Sequence, residues 1–555
     1  MTHGCGSCGV GIASCPMSPR GDDADSRPNI LLILADDMGY SDIGCYGGEI
    51  GTPAIDSLAQ TGVRLAEFYN TARCCPSRAS LLTGLHPHQT GVAELVDDDG
   101  PGGYRGSLNE RCATLAETLR GAGYSTHMTG KWHVSNEREQ VGDAWPTRRG
   151  FDTFWGTLAG AGSYFQPTTL HDGETPIPLE ELGEDFYYTD AIGEHAASRI
   201  RDAGDQERPF FGYVAFTAPH WPLHARPEDL EAVRGRFDEG WDALRTRRRR
   251  RQIDDGLLAE AGTADVRDPE VPAWEDEPHQ AWQLERMEAY AAQIRAMDRA
   301  VGRIIAALEE TGQRENTFVL FLSDNGGCAE ELDASPEAAA RFRQSHLIIP
   351  PCAPDGSEMQ VGNDPAIRPG GAHTYTSYGQ AWANLSNTPF RMYKRWTHEG
   401  GIATPLIVSW PAGELAAGSI SHAPHQLTDV APTLYEAAGV APLVERDGVE
   451  LPPPEGVSFL DLLRGGDPVP HELFWEHIGN QAVRDGRWKL VREHGGDWQL
   501  HDLLTDRSEQ VDLAGSHPEL TASMAARWRR WADRVGVLPR EQVLAARASR
   551  PPQPA

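Results

Sequence analysis

Two short stretches constrain this chain more than any others. Asn29-Ile30-Leu31-Leu32-Ile33-Leu34-Ala35 is a continuous apolar run that ends in Asp36-Asp37. Far downstream, Thr317-Phe318-Val319-Leu320-Phe321-Leu322-Ser323 has the same design and ends in Asp324-Asn325-Gly326-Gly327. Runs without polar alternation are expected of parallel strands buried on both faces. Open α/β sheets bind their ligands beyond the C-terminal ends of such strands. Asp-Asp is common in solvated turns, but this pair directly terminates the most hydrophobic strand in the chain. Asp36, Asp37, Asp324 and Asn325 offer only oxygen donors, a set that suits Ca²⁺ or Mg²⁺ better than zinc. Before the second strand, Tyr290, Ile294, Met297, Val301, Ile304, Ile305 and Leu308 recur at spacings of three and four. They form the apolar face of a helix and support an α/β fold class.

Other candidate strand ends carry polar groups. Phe210 to Phe216 leads to Thr217-Ala218-Pro219-His220, and Gly130-Lys131-Trp132-His133 places Lys131 and His133 on one side if extended. Lys394 precedes His398-Glu399-Gly400-Gly401, and the run Ile402 to Trp410 reads as another strand. Each basic residue alone is a solvated charge; together they make a site only if the fold brings these ends together. Cys74-Cys75-Pro76-Ser77-Arg78, followed by Ala79 to Gly84, reads as a loop entering a helix, with Pro in the first turn. Cys74 then lies near the positive end of a helix. Alone it is either a reactive cysteine at an anion site or a buried structural one.

Composition narrows the function classes. At 555 residues the chain has room for more than one unit. Its 81 acidic and 50 basic residues give a net charge of −31, which disfavours non-specific binding to nucleic acid or acidic membranes. A local cationic pocket for a small anion remains compatible with that field. Nine cysteines are sparse and odd in number, which suits a reducing compartment. No apolar run reaches the roughly 18 residues of a membrane span, and no signal peptide is visible, so a cytoplasmic location is expected.

Residues 1–27, rich in Gly, Ser, Asp and Pro, read as a disordered tail. Cys5-x-x-Cys8 and Cys15 within it lack a second ligand pair at finger spacing. Arg247 to Arg251 continues a helical stretch through Trp241, Leu244, Ile253 and Leu257, so a solvated helical face is expected. A large unit over 28–450 is followed by Leu451-Pro452-Pro453-Pro454, which punctuates the chain. In 451–545 a hairpin about Asp485-Gly486, a strand near Trp498 to Leu503 and a helix near 517–535 predict a small α+β domain with an antiparallel sheet. Residues 546–555 read as a disordered tail.

Cys-x-Pro-Ser-Arg with Leu-Thr-Gly downstream resembles the signature of the sulfatases. The Asp36-Asp37 strand end, Gly-Lys-Trp-His, Pro-His, Ser-Asp-Asn-Gly, the Lys before Glu-Gly-Gly and Thr428-Asp429-Val430-Ala431-Pro432-Thr433 match that family in order, over residues 28 to about 515. The resemblance implies a large mixed, mostly parallel sheet flanked by helices, as in alkaline phosphatase, with 28–450 as the catalytic domain. It further implies that Cys74 is converted to formylglycine by a generating enzyme, and that Asp36, Asp37, Asp324 and Asn325, with the modified Cys74, hold one Ca²⁺. In the hydrated aldehyde one hydroxyl attacks sulfur, and the other later expels sulfate. Lys131 and Lys394 would contact the sulfate oxygens and Arg78 the hydrated aldehyde. His220 would protonate the leaving group, and His133 would take the proton that permits elimination. Cys75 fills the unspecified position of the motif and receives no chemistry.

The expected substrate is a small-molecule or carbohydrate sulfate monoester, cleaved in the manner of arylsulfatases. A phosphonate monoester or phosphodiester hydrolase of the same superfamily is the nearest rival. Those enzymes resemble phosphatases in preferring Asp-His where this chain has Asp324-Asn325, because softer metals accept imidazole. A non-catalytic binding protein that never acquires formylglycine is the rival from another class. Segments 92–106, 160–190 and 330–385 are expected to form the pocket rim. Their Tyr104, Tyr164, His373, Tyr375 and Trp382 could stack on a substrate ring or serve loop packing. Oligomeric state is not legible.

Overall fold

A computed structural model describes Met1 and residues 27–259, 264 and 266–549. Cys5, Cys8 and Cys15, with nearly all of the expected N-terminal tail, lie outside the described residues. Asn29–Ala35 forms the central strand of a large sheet, parallel to Thr317–Ser323 on one side and to Phe210–Ala215 on the other. The order through the core is Val63–Tyr69, Ala403–Ser409, Thr317–Ser323, Asn29–Ala35, Phe210–Ala215, Ser125–Lys131, Thr153–Thr157. Among these seven only Ala403–Ser409 runs antiparallel to its neighbours. The sheet is therefore mixed and mostly parallel.

The uninterrupted apolar runs have the expected cause. Leu31, Ile33 and Ala35 point into one core, whereas Ile30, Leu32 and Leu34 point into another on the opposite face. Side chains alternate across a strand, so only a fully apolar sequence can satisfy both sides. Helices Tyr188–Gly204 and Gln280–Glu310 cover the first face, and the Tyr290–Leu308 stripe is buried there apart from a half-buried Ile305. Helices Cys74–Thr83 and Val430–Ala438 lie on the second. Among the described residues no helix is long and apolar enough to cross a membrane.

The C-terminal region carries a four-stranded antiparallel sheet over Glu472–His477, Asn480–Asp485, Trp488–Arg492 and Gln499–Asp502. Its first strand, not expected from the sequence, holds only a short apolar run, Leu473-Phe474-Trp475, between Glu472 and Glu476. One sheet face joins the main core through Leu473, Trp475, Ala482 and Val491. The other packs Val483, Leu490 and Leu500 against helix Pro518–Val535. Helix Arg540–Ala548 runs into the stretch expected to be a tail: Val543 packs on Ala93 and Tyr104, and Arg547 pairs with Asp99 and Glu94.

The arginine run corrects the sequence reading. Gly240–Asp254 is a helix, but Arg248 is fully buried and paired with Asp42 and Glu49 at 2.8 and 2.7 Å. Its neighbours Arg250 and Arg251 are exposed. Helical spacing turns one arginine of the run inward, where two carboxylates compensate its charge.

Candidate active site

Register brings the acidic strand ends together. Ala35 pairs with Ser323, so Asp36 and Asp324 leave adjacent strands at the same level. The Asp324 N–H donates to the Ala35 carbonyl at 3.2 Å, and the Asp37 N–H donates to Asp324 Oδ1 at 3.2 Å. Asp36, Asp37, Asp324 and Asn325 are all buried. Asn325 Nδ2 donates to Asp37 Oδ1 at 2.7 Å, which leaves its carbonyl oxygen free. Asp36 Oδ1 and Asn325 Oδ1 are buried without a hydrogen-bond partner. Unpaired buried oxygens beside three carboxylates are what a hard cation requires, so these residues fit Ca²⁺.

Three cations face this set. Lys131, the last residue of its strand, donates to Asp36 Oδ2. Lys394 Nζ donates to Asp37 Oδ2 at 2.8 Å. Arg78 donates through Nε and Nη2 to Asp324 Oδ2 at 3.1 and 2.8 Å, and through Nη1 to the Lys131 carbonyl at 2.8 Å. Those bonds make Arg78 a brace between the cysteine helix, Asp324 and the Lys131 strand end. Burial, reinforced by the neighbouring Asp36 carboxylate, pushes Asp324 up to about 8. Burial likewise raises Asp36 to about 6 against the pull of Lys131 and Arg78. Burial acts on Asp37 too, but His220 and Lys394 outweigh it and hold that carboxyl at about 2.

Cys74 begins helix Cys74–Thr83, all of whose residues are buried. Hydrogen bonding from Cys75 opposes the effect of burial, and together with Lys131, His133 and Lys394 it holds the Cys74 thiol well below its ordinary range. His220 Nδ1 bonds the Trp221 carbonyl at 2.6 Å, so the other ring nitrogen faces Lys394 Nζ and Asp37 Oδ2, each at 3.3 Å. A carbonyl partner requires N–H at Nδ1 and fixes the tautomer. Burial lowers His220 to about 4 and His133 to about 3.

His133 differs from the extended geometry expected of Lys131-Trp132-His133. The strand stops at Lys131, and His133 has φ 57°, which turns its ring back toward the cysteines. Its Nε2 lies 3.2 Å from Cys75 Sγ, and one ligand atom each from Cys74, Cys75 and His133 lie within 4.8 Å of one another. Cys75, expected to be chemically silent, thus touches a residue of the site. Asp37, Ala72, Met392 and Arg395 share the left-handed backbone with His133. Such conformations cost about 1–3 kcal/mol each and gather at functional sites.

Several contributors were not legible in sequence. A Cβ on Gly160 would lie 2.1 Å from the His133 ring, so glycine makes room for it. Tyr164, read from the sequence as either a stacking or a loop-packing residue, donates through its OH to the carbonyls of Thr217 and His220 at 2.9 and 2.8 Å and holds the His220 turn. Asn387 accepts from Gly327 N–H at 2.8 Å and donates to the Met392 carbonyl at 3.0 Å, tying the Asn325 loop to the Lys394 loop. Glu330, held ionised at about 2 because Lys394 and Arg73 outweigh its burial, lies 3.3 Å from Arg73 beside Cys74 and accepts from Trp221 at 3.1 Å. Only its place in the long 330–385 segment hinted at it. Trp382 and Tyr375 are buried among other aromatic rings, so they serve packing.

This fold and constellation define a class: an enzyme of α/β architecture whose buried lysines, arginine and carboxylates at the C-terminal edge of its sheet suit an oxyanion substrate. Residues 28–440 match the family model described as Sulfatase. The chain is 33% identical over 544 residues to an uncharacterized sulfatase of Schizosaccharomyces pombe, covering 92% of this chain and 94% of that protein. It is 34% identical over 440 residues to an arylsulfatase of Klebsiella aerogenes, covering 75% of this chain and 88% of that one. A crystal structure of Ps i-CgsB in complex with a neocarrahexaose superposes with a TM-score of 0.64 at 25% identity, covering 91% and 93% of the two chains. The chain belongs to the sulfatase family. It is an enzyme that hydrolyses sulfate esters.

Proposed function

We propose that this enzyme cleaves sulfate monoesters in the manner of an arylsulfatase, with Cys74 converted to formylglycine and one Ca²⁺ at the acidic strand ends. The observation that carries this reading is the convergence of Asp36, Asp37, Asp324 and Asn325 on the start of the Cys74 helix, with two of their oxygens unpaired. Asp36, Asp37, Asp324 and Asn325 would hold Ca²⁺, which when bound supplies neutralisation of sulfate charge. Formylglycine at position 74 supplies a hydrated aldehyde, a nucleophile that a thiol cannot replace.

The remaining chemistry rests on side chains. Lys131 and Lys394 would bind the sulfate oxygens, where charge develops in the transition state. Arg78 positions the helix that carries residue 74. His133 accepts a proton from position 74. His220, its tautomer fixed by the Trp221 carbonyl, delivers a proton from Nε2 to the departing alcohol or phenol. A sulfate anion beside Nε2 favours the protonated ring, which offsets the effect of burial.

Steady-state assays of nitrophenyl sulfate and a phosphonate monoester test the reaction, with faster sulfate turnover expected. Faster phosphonate turnover would overturn the assignment. Mass spectrometry of the Cys74 peptide from active enzyme is expected to show the aldehyde; an intact thiol there would remove the proposed nucleophile.

A further inference from the structure

Cys75 is a fully buried thiol that the proposed reaction does not use. We propose that the chain with Cys74 still a thiol binds a divalent cation of the zinc type through Cys74 Sγ, Cys75 Sγ and His133. This site is chemically distinct from the all-oxygen set of Asp36, Asp37, Asp324 and Asn325. Cys₂His with an open fourth position is an established zinc ligand set, and thiolates select borderline-soft cations over Ca²⁺. With metal bonds of about 2.0–2.3 Å, tetrahedral ligand atoms stand about 3.5–3.8 Å apart. Cys75 Sγ lies 3.2 and 3.5 Å from the two His133 ring nitrogens, and the three-residue cluster spans at most 4.8 Å. Small side-chain rotations therefore assemble it.

Binding forms two metal–sulfur bonds and one metal–nitrogen bond, releases to solvent whatever thiol protons Cys74 and Cys75 still carry, and transfers no electrons. The two thiolate charges cancel the cation's charge, so the metal–dithiolate unit is itself neutral beside Lys131 and Arg78. Converting Cys74 to an aldehyde deletes one thiolate, so metal occupancy and conversion exclude each other. That last consequence rests on the proposed formylglycine; formation of the site does not.

The test uses the full chain produced without a formylglycine-generating enzyme. Titration with Co²⁺ should give one equivalent bound with a near-ultraviolet thiolate-to-cobalt charge-transfer band, bleached by Zn²⁺. Cys75→Ser should weaken binding at least about tenfold, since even loss of a ligand's outer partner costs that much. Full chain with position 74 converted should show no band, a comparison that holds even if Cys75→Ser folds poorly. Absence of the band, or a band that survives conversion and both Cys74→Ala and Cys75→Ser, overturns the proposal and assigns any cobalt to other thiols such as Cys5, Cys8 and Cys15. A thiol at position 74 in active enzyme would instead defeat the formylglycine reading and leave the metal site standing.

Discussion

Gly160→Ala isolates His133 without touching it. The added Cβ would lie 2.1 Å from His133 Cε1 and 2.2 Å from Nε2. Carbon atoms in contact prefer about 3.5–4.0 Å, so the ring must move by more than about 1 Å. A misplacement of that size costs about a hundredfold in rate, near the low end of the 10²–10⁴ that proton transfer contributes. We expect kcat for nitrophenyl sulfate to fall about a hundredfold, with KM little changed because Lys131 and Lys394 still hold the sulfate. Overpacking should cost about 1–3 kcal/mol of stability, measurable as a lower Tm. Gly160 is not in the left-handed region, so alanine fits its backbone and the effect comes from the clash. His133→Ala supplies the control: the double variant should be no slower than His133→Ala alone. Near-normal kcat in Gly160→Ala, or the same further loss in the His133→Ala background, would refute the reasoning.

Other expectations rest on the same geometry. Cys74→Ala should abolish sulfate release, whereas Cys75→Ala, which loses a contact to His133 and one to position 74, should reduce kcat by less than about tenfold; equal losses would mean the wrong cysteine has been assigned. Chelation should remove activity and Ca²⁺ should restore it. Because Asp324 sits at about 8 without a cation, Ca²⁺ addition at pH 7 should release protons in weakly buffered solution, an effect that fades toward pH 9. Asp429, which accepts from His425 and His471 at 2.9 and 3.0 Å, is held below the usual carboxylate range because these partners outweigh its burial, while His471 is raised by the same carboxylate. The Asp429 contribution to stability is present above its unfolded pKa of about 3.9 and lost on acidification, and the His471 contribution is present below about 6.5 and lost as pH rises through its higher folded value. The Tm difference between wild type and His471→Ala should therefore be largest near pH 5 and shrink on both sides; a pH-independent difference would contradict the linkage.

The strand ends were legible because two-sided burial leaves no freedom in composition: a run such as Ile30 to Leu34 cannot be mistaken for an exposed strand. The sheet places the residues that end such a run, so Asp36, Asp324 and His220 could be located from the sequence. Lys131 and Lys394 belonged to the site by family resemblance, since sequence alone does not show which strand ends meet. Gly160 and Asn387 were illegible for a different reason. Each acts through one atom or through the lack of one, and the partner lies far away in the chain. Arg248 shows the reverse error, a charge run whose average exposure hid a single buried member.

Charge bookkeeping ties the site to its substrate. Once all three are ionised, as cation binding requires of Asp324, the buried groups Asp36, Asp37 and Asp324 carry three formal negative charges, and Lys131, Lys394 and Arg78 carry three positive ones. Each carboxylate is engaged by a different cation, so the ensemble is locally neutral and has no surplus attraction for an anion. Such a set spends its lysines on carboxylates, whereas the reaction needs them on sulfate. The proposed divalent cation at the unpaired Asp36 and Asn325 oxygens would resolve both difficulties at once. So placed, it would compete with Lys131 and Lys394 for Asp36 and Asp37, and the ammonium groups would be free to face the substrate in a pocket with a surplus of two positive charges. The long-range field of a chain with net charge −31 repels anions, so this local surplus must be short-ranged and enclosed, as burial of every member ensures.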